Sequence, residues 1–180
     1  MKKQFLEELE IPSGISCEFS NSTLTCRKGS RELKRKIEIP HVKTKLENNK
    51  VVFSCASGNK NQYKIMKSFI AHTKNMFTGL NEDYVYKLES ANVHFPMTFK
   101  VEGDKFTINN FLGEKTPRFA RILPGVKVDV KGAKITVTSS DKDAAGQTAA
   151  NLEKATKVKN RDRRIFHDGI YLIDRPGGAK

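Results

Sequence analysis

The sequence lacks tryptophan and contains no long hydrophobic run. Its 180 residues are 37% hydrophobic, which predicts modest hydrophobic cores in one domain or in two small ones. No run approaches the roughly 18 apolar residues of a membrane-spanning helix, so no membrane segment is expected. The first residues carry Lys2 and Lys3, followed by glutamates rather than by an apolar core. A secretory signal is therefore not expected, and the sequence predicts a cytoplasmic protein.

Cysteine is also scarce. The chain has three, Cys17, Cys26 and Cys55, without the C-x-x-C spacing that is typical of structural zinc sites. No metal site or other cofactor is expected. Cys17 and Cys26 face each other if the segment between them forms a hairpin, which leaves a disulfide as one alternative. The sequence favours two reduced thiols, because the cytosol is reducing.

A recognisable catalytic set is missing as well. His167 is followed by Asp168, but adjacent residues of a strand point to opposite faces, which suits a base and its orienting carboxylate poorly. The sequence Gly-Glu-Lys-Thr at 113–116 lacks the Gly-Lys-Ser/Thr order of a phosphate-binding loop. We therefore expect no enzymatic activity. The alternative hypotheses are an RNA-modifying or phosphoryl-transfer enzyme, and an adaptor that binds acidic proteins through a basic face.

Acidic residues are outnumbered, since 33 Lys and Arg oppose 20 Asp and Glu and give a formal net charge of +13. A pI near 9.7 indicates a polyanionic partner, either nucleic acid or an anionic membrane surface. The densest basic segment is 157–164, in which five of eight residues are Lys or Arg. The apolar run 170–173 follows it. This order predicts a cationic loop that a buried strand holds in place, and it favours RNA binding.

The candidate RNA-binding residues lie in and near this segment. Arginine binds phosphate through two hydrogen bonds and stacks on bases, whereas lysine acts as a point charge. Asparagine adds a neutral hydrogen-bonding group. The candidates are Lys157, Lys159, Asn160, Arg161, Arg163 and Arg164, together with Arg118, Arg121 and Arg175.

Internal similarity recurs at a separation of 84 residues. Without a gap, Gly29 falls on Gly113, and the Pro-x-Val-Lys unit that begins at Pro40 falls on the unit that begins at Pro124. Chance rarely places such units in one register, so two copies of one small domain are predicted. Their predicted boundaries are 1–82 and 83–180, with the basic segment in the second copy.

Each copy shows the same order of elements. Period-two alternation predicts two hairpins, separated by a basic loop at 27–36 in the first copy and at 114–121 in the second. A strand at 84–88 is expected to pair with 170–173. The fold class predicted is α+β, with two tandem similar domains, each an antiparallel sheet with one helix packed on one face.

The two helices are predicted from apolar periodicity and capping signals. The first spans 62–77, with Asn61 as N-cap and Gly79 as its stop. The second spans 142–155, with Asp141 or Ser140 as N-cap. Its many alanines let it lie close to a sheet while it buries little area.

The C-terminal stretch resembles the signature of the L-six family of large-subunit ribosomal proteins, in its archaeal and eukaryotic form. The tripeptide at 94–96, His94-Phe95-Pro96, also resembles that family. One departure is Lys154, where the pattern has Gln. The matching positions are Val158, Arg161, Arg164, Phe166, Asp168, Gly169, Ile170, Tyr171, Leu172 and Arg175.

The resemblance implies a structural, non-enzymatic ribosomal protein that is itself a duplication of a sheet-plus-helix domain. It implies binding to large-subunit ribosomal RNA, mainly through the second copy, near the sarcin–ricin loop and the base of the stalk, where translation factors dock. The basic segment 157–164 is then the main RNA contact. The first copy is expected to be more peripheral and to touch neighbouring ribosomal proteins, and the protein to be a monomer outside the ribosome.

Overall fold

The computed structural model describes residues 3–38, 41–47, 49–93, 95–162 and 164–177. The chain divides into two compact units, Met1–Glu82 and Asp83–Lys180. Each unit combines antiparallel strands with one α-helix, so the predicted α+β class with two tandem similar units is confirmed. In both units the strands form two sheets rather than one. Within the described residues, neither helix is long and apolar enough to cross a bilayer.

The first unit contains two three-stranded sheets with the orders β1-β6-β5 and β2-β3-β4. Its elements are β1 (Lys3–Glu10), β2 (Ser16–Ser20), β3 (Thr23–Lys28), β4 (Arg31–Lys36), β5 (Lys43–Glu47), β6 (Lys50–Gly58) and α1 (Lys60–Asn81). The basic loop predicted at 27–36 is wrong, because most of it is the end of β3 and the whole of β4. This edge strand turns Leu33 toward the core and its charges outward, as edge strands commonly do.

The second unit contains a three-stranded sheet, β10-β9-β8, and a four-stranded sheet, β11-β12-β7-β13. Its elements are β7 (Tyr84–Ala91), β8 (Thr98–Glu102), β9 (Lys105–Asn109), β10 (Arg118–Arg121), β11 (Lys127–Lys131), β12 (Lys134–Ser139), α2 (Lys142–Ala155) and β13 (Gly169–Asp174). The predicted pairing of β7 with the C-terminal apolar run is confirmed, with Leu88 opposite Leu172. A 3₁₀ turn, Phe111–Gly113, precedes β10.

The spacing of the repeat changes along the chain. The second hairpins keep the separation of 84 residues, since β6 begins at Lys50 and β12 at Lys134. The first hairpins are 82 apart, since β3 begins at Thr23 and β9 at Lys105. The connection between β9 and β10 is longer than that between β3 and β4, so Gly29 and Gly113 are not structural equivalents. Pro40 lies outside the described residues.

The core of the first unit forms where α1 packs on the sheets, and Phe53, Met66 and Leu80 are fully buried in it. The predicted cap is wrong. Asn59 caps α1, because its side chain accepts the Gln62 backbone N–H at 3.0 Å while the Gln62 side chain accepts the Asn59 N–H at 2.7 Å. The helix also continues past Gly79 to Asn81. Packing of Gly79 and Leu80 in the core outweighs the tendency of glycine to end a helix.

The core of the second unit forms beneath α2. The predicted bounds of this helix and its N-cap at Asp141 are confirmed. Ala145, Ala149 and Leu152 face the core. Gly146 lies so close to β7 that a Cβ there would be 3.0 Å from the Tyr86 hydroxyl. The helix therefore approaches its sheet closely, as its alanine content predicts.

Candidate nucleic-acid interface

The basic segment lies in the connection 156–168, which joins the end of α2 to the start of β13. Two apolar side chains of this connection pack on the core of the second unit. Val158 is buried and Phe166 is partly buried there. Apolar contacts thus hold the connection near both of its ends.

The last turn of α2 covers the free edge of β13. The Thr156 hydroxyl accepts the backbone N–H of Ile170 at 2.9 Å, and the Glu153 carboxylate accepts the N–H of Leu172 at 3.1 Å. Within the part of the chain that the structure describes, β13 pairs only with β7, so these N–H groups on its other edge have no strand partner. An unpaired buried N–H is costly, and Glu153 in α2 and Thr156, which caps the end of the helix, supply the missing acceptors.

Asp168 fixes the end of the connection. Its side chain is 2% exposed and accepts a hydrogen bond from the backbone N–H of Val93. The Tyr171 hydroxyl donates to the His167 carbonyl at 3.0 Å. The Asp168 carboxylate therefore holds the backbone at Val93 close to the start of β13. His94, next to Val93, lies outside the described residues.

Between these fixed ends, the polar side chains that the structure describes are exposed. They include the candidates Lys157, Lys159, Asn160, Arg161 and Arg164. Asn160 has φ of 56°, a left-handed conformation that asparagine tolerates. Asp162 accepts the Arg164 backbone N–H at 2.9 Å, and the Arg161 guanidinium lies over the Phe166 ring at 4.8 Å. Arg163 lies outside the described residues.

Arg118 occupies a different position from the loop cations. Its Nε and Nη2 donate to the Glu114 carboxylate at 2.8 and 2.6 Å. Its Nη1 donates to the carbonyls of Ala155 at 3.0 Å and of Lys157 at 3.3 Å. The guanidinium also stacks 4.2 Å from the Phe111 ring centroid. Arg118 thus ties β10 to the end of α2 and to the start of the basic loop.

The ion pair between Glu114 and Arg118 shifts the pKa of the Glu114 carboxyl group. The hydrogen bond from Arg118 lowers the pKa of Glu114 below its ordinary value, and the charges of Arg118 and Arg161 act in the same direction. Partial desolvation opposes this shift. Because Glu114 balances the charge of Arg118, this arginine contributes less to the positive field than its sequence position predicts.

The other two candidate arginines differ in location. Arg121 is exposed at the end of β10, and its carbonyl accepts the Asn151 side-chain amide at 3.0 Å. Arg175 follows β13 and acts electrostatically on Tyr86, whose hydroxyl donates to the Lys142 carbonyl at the start of α2. α2 has 14 residues and is about 20 Å long. The structure therefore does not bring Arg175 together with the basic loop.

A cleft lies beside the basic loop. It has a volume of about 420 Å³, and its walls are formed by Arg118, Phe119, Lys154, Ala155 and Lys159. Phe119 and Lys154 were not among the sequence candidates. The alternation Arg-Phe-Ala-Arg in β10 does carry a signal for Phe119, because it turns Ala120 inward and the neighbouring phenylalanine outward. Among the described residues, no group of His, Cys, Asp and Glu is arranged to hold a metal ion.

Sequence comparisons with known proteins identify the family of this chain. Residues 95–169 match the family model described as Ribosomal protein L6. The Large ribosomal subunit protein uL6 of Methanococcus vannielii is 43% identical over 171 residues, which cover 95% of this chain and 94% of that protein. The protein of the same name from Methanobrevibacter smithii is 43% identical over 170 residues, 94% of this chain and 95% of that protein. The chain therefore belongs to the ribosomal protein L6 family.

Proposed function

We propose that this protein is a structural constituent of the large ribosomal subunit that binds large-subunit ribosomal RNA mainly through residues 83–180. The names of the two archaeal relatives and the C-terminal signature support this proposal. The RNA contact lies near the sarcin–ricin loop and the region where translation factors dock. The protein has no enzymatic role and acts in the cytoplasm, within the ribosome.

The observation that carries the proposal is the fixed position of the cationic loop. Arg118, Thr156 and Asp168 hold its two ends by hydrogen bonds, while Lys157, Lys159, Arg161 and Arg164 face solvent. A loop that is ordered before binding loses less conformational entropy when it meets RNA. Its cations neutralise phosphates and release counterions, and a fixed arrangement of charges distinguishes one RNA shape from another.

The remaining parts of the chain have supporting roles in this proposal. Residues 1–82 and 83–180 act as two domains, of which the first contacts neighbouring ribosomal proteins near the stalk base. Translation factors lie nearby without being permanent partners. Outside the ribosome the protein is a monomer.

The test is binding to a large-subunit ribosomal RNA fragment that contains the sarcin–ricin region, at several salt concentrations and with transfer RNA as competitor. The loop variant replaces Lys157, Lys159, Arg161 and Arg164 with Gln. Each lost phosphate contact should reduce the slope of log K against log salt concentration by roughly 0.7 to 0.9. Point substitutions are preferable to deleting the C-terminus, because a deletion removes β13 from its sheet.

The matched control replaces four exposed lysines of the first unit with Gln, at Lys43, Lys60, Lys64 and Lys74. It removes the same formal charge from a different surface. We expect only the loop variant to bind the RNA fragment much more weakly and to show a smaller slope of log K against log salt concentration. Equal losses in both variants, with full competition by transfer RNA, would show a general cationic surface instead.

A further inference from the structure

The walls of the cleft beside the basic loop combine an aromatic ring with cationic side chains. One wall is an aromatic ring, Phe119, and two others are the exposed lysines Lys154 and Lys159. Its volume of about 420 Å³ lies within the range of about 300–1,000 Å³ typical of small-ligand pockets. It therefore has room for a single nucleotide.

Phe119 is unusually accessible for a phenylalanine within a strand. Its side chain is 49% exposed, because β10 turns Ala120 toward the core and Phe119 away from it. The Lys105 ammonium lies 3.7 Å from the centroid of the ring. The Lys105 ammonium thus lies over one face of the ring, and Lys105 is not among the described residues that line the cleft. Phe119 itself lines the cleft and is about half exposed, so part of its ring is accessible there.

The charges of the cleft favour an anionic occupant. Arg118 is neutralised by Glu114, so the uncompensated positive charge comes from Lys154 and Lys159. Lys154 is in the last turn of α2 and Lys159 is in the basic loop, so two separate elements direct cations at one cavity. Phosphate is a suitable partner for such point charges, and an aromatic ring is a suitable partner for a base.

We propose that Phe119 stacks on one unpaired base of the ribosomal RNA while Lys154 and Lys159 neutralise the adjoining phosphates. This inference rests on the proposed RNA-binding function and adds a site where a single nucleotide is recognised. The base must be unpaired, because bases within an A-form helix are already stacked and proteins reach unstacked bases in loops and bulges. Arg118 sets the position of the wall without contributing net charge.

The absence of tryptophan from the chain allows a direct test. Phe119→Trp introduces a single indole in the proposed site, and stacking with a base quenches indole fluorescence. Phe95→Trp is the matched control, because Phe95 is 47% exposed in the same unit and does not line the cleft. The ribosomal RNA fragment described above should quench the Phe119→Trp variant saturably and the Phe95→Trp variant much less. Equal quenching of both variants, or none of the Phe119→Trp variant, would overturn the proposal.

Binding affinity provides a second, independent test. Base–aromatic stacking contributes about 1–3 kcal/mol, so Phe119→Ala should weaken RNA binding roughly five- to 150-fold. Phe119→Leu should lose nearly as much, because it keeps an apolar side chain without a π face. Neither variant should change the slope of log K against log salt concentration. Lys154→Gln should reduce that slope by roughly 0.7 to 0.9. Full affinity in Phe119→Leu contradicts stacking.

The failure of this inference is distinguishable from failure of the proposed function. If the loop variant loses specific binding while Phe119→Ala and Phe119→Leu retain it, the nucleotide site is wrong and the RNA-binding function stands. If the unmodified protein binds the fragment no better than transfer RNA, both are wrong. If free adenosine monophosphate quenches the Phe119→Trp variant at the same concentration as the RNA fragment, the site binds free nucleotides, and the proposal that it recognises a base within the ribosomal RNA is wrong. Thermal unfolding of each variant shows whether it is folded.

Discussion

Glu114 binds Arg118 through two parallel hydrogen bonds, with an Nε–Oε2 distance of 2.8 Å and an Nη2–Oε1 distance of 2.6 Å. The remaining Nη1 group reaches two carbonyls, those of Ala155 at the end of α2 and of Lys157 at the start of the basic loop. Arg118 is therefore a positioning residue for the loop. It differs in this respect from Arg121, which lies at the end of the same strand and is exposed to solvent.

Arg118→Lys should destabilise the second unit without removing a positive charge. Lysine cannot reproduce the planar fork that reaches a carboxylate and two carbonyls together. Hydrogen bonds of charged groups contribute about 1.5–3 kcal/mol, so a loss of that order in unfolding free energy is expected from urea titration. The slope of RNA affinity against salt should stay unchanged.

Arg121→Lys is the control for that substitution, because its side chain is exposed at the end of the same strand. It should leave the unfolding free energy within about 0.5 kcal/mol of the parent value. If Arg118→Lys were equally neutral, Arg118 would not hold the loop.

The same ion pair predicts how stability depends on pH. Arg118 lowers the folded-state pKa of Glu114 below the ordinary value of 4.5. A depressed carboxyl pKa contributes stability that is fully present above the unfolded pKa and is lost as pH falls through the folded pKa. Glu114→Gln should therefore reduce the loss of unfolding free energy between neutral pH and about pH 3.

Urea titration at a series of pH values measures this difference. Glu102→Gln, at the exposed end of β8, is the matched control and should keep the acid sensitivity of the parent protein. An undiminished acid sensitivity in Glu114→Gln would show that this carboxylate is not preferentially stabilised in its charged form by the fold.

The capping of α1 allows a direct comparison between two neighbouring asparagines. Asn59→Ala should lower the unfolding free energy by about 1 kcal/mol, within a range of roughly 0.5–2, because it removes the acceptor for the N–H groups of Asn61 and Gln62. Asn61→Ala lies inside the first turn and should be neutral or slightly stabilising, since alanine is the better helix former. Urea denaturation of both variants decides between them, and the reverse order would place the cap at Asn61.

The position of this cap is visible in the sequence as a capping box, although Asn61 was predicted instead. Asn59 is followed three residues later by Gln62, which is the spacing of a capping box, whereas Asn61 is followed at that distance by Lys64. The capping-box spacing therefore identifies Asn59 as the N-cap from the local sequence alone. The bounds of α2 and the pairing of β7 with β13 were predicted correctly because they depend on apolar periodicity, which the sequence shows plainly.

Other features depend on distant contacts and were not predictable from local patterns. The local sequence predicts that Arg118 is a free cation. In the fold its guanidinium binds the carbonyls of Ala155 and Lys157, which lie 37 and 39 residues away in the chain. Arg175 belongs to the signature and was grouped with the loop cations, although the fold places it near the other end of α2. Strand β4 was predicted as a loop because its charges mask an alternation that contributes only Leu33 to the core.

The hydroxyl of Thr156 should be essential to the edge of β13. Thr156→Val keeps the shape of the side chain but removes the acceptor for the Ile170 N–H, in a position that is almost fully buried. A buried N–H without a partner costs about 1–3 kcal/mol, and that loss should appear in urea unfolding.

Amide hydrogen exchange at Ile170 should accelerate in the same Thr156→Val variant, because local opening of β13 becomes easier. Thr98→Val is the control, since Thr98 is exposed in β8 and valine suits a strand. Unchanged exchange at Ile170 would mean that another group replaces the hydroxyl.

The thiols of Cys17 and Cys26 should react very differently although they face each other across β2 and β3. Their sulfurs are 2.8 Å apart and both are free cysteines. Either thiol can donate to the other, but once Cys17 is a thiolate only Cys26 can donate. This contact lowers the pKa of Cys17, and the same contact together with burial raises the pKa of Cys26. Iodoacetamide should therefore alkylate Cys17 first, with an apparent pKa below 9.0, because the thiolate is the reactive form.

Mass spectrometry of digested peptides measures the order in which the three thiols are alkylated. Cys26 and Cys55, which are 0% and 2% exposed, should react only on unfolding. Cys26→Ala removes the hydrogen-bond donor and should raise the apparent pKa of Cys17, because the Cys17 thiolate then loses the group that stabilises its charge. If Cys17 titrated identically in that variant, the contact between the two thiols would have no part in its reactivity.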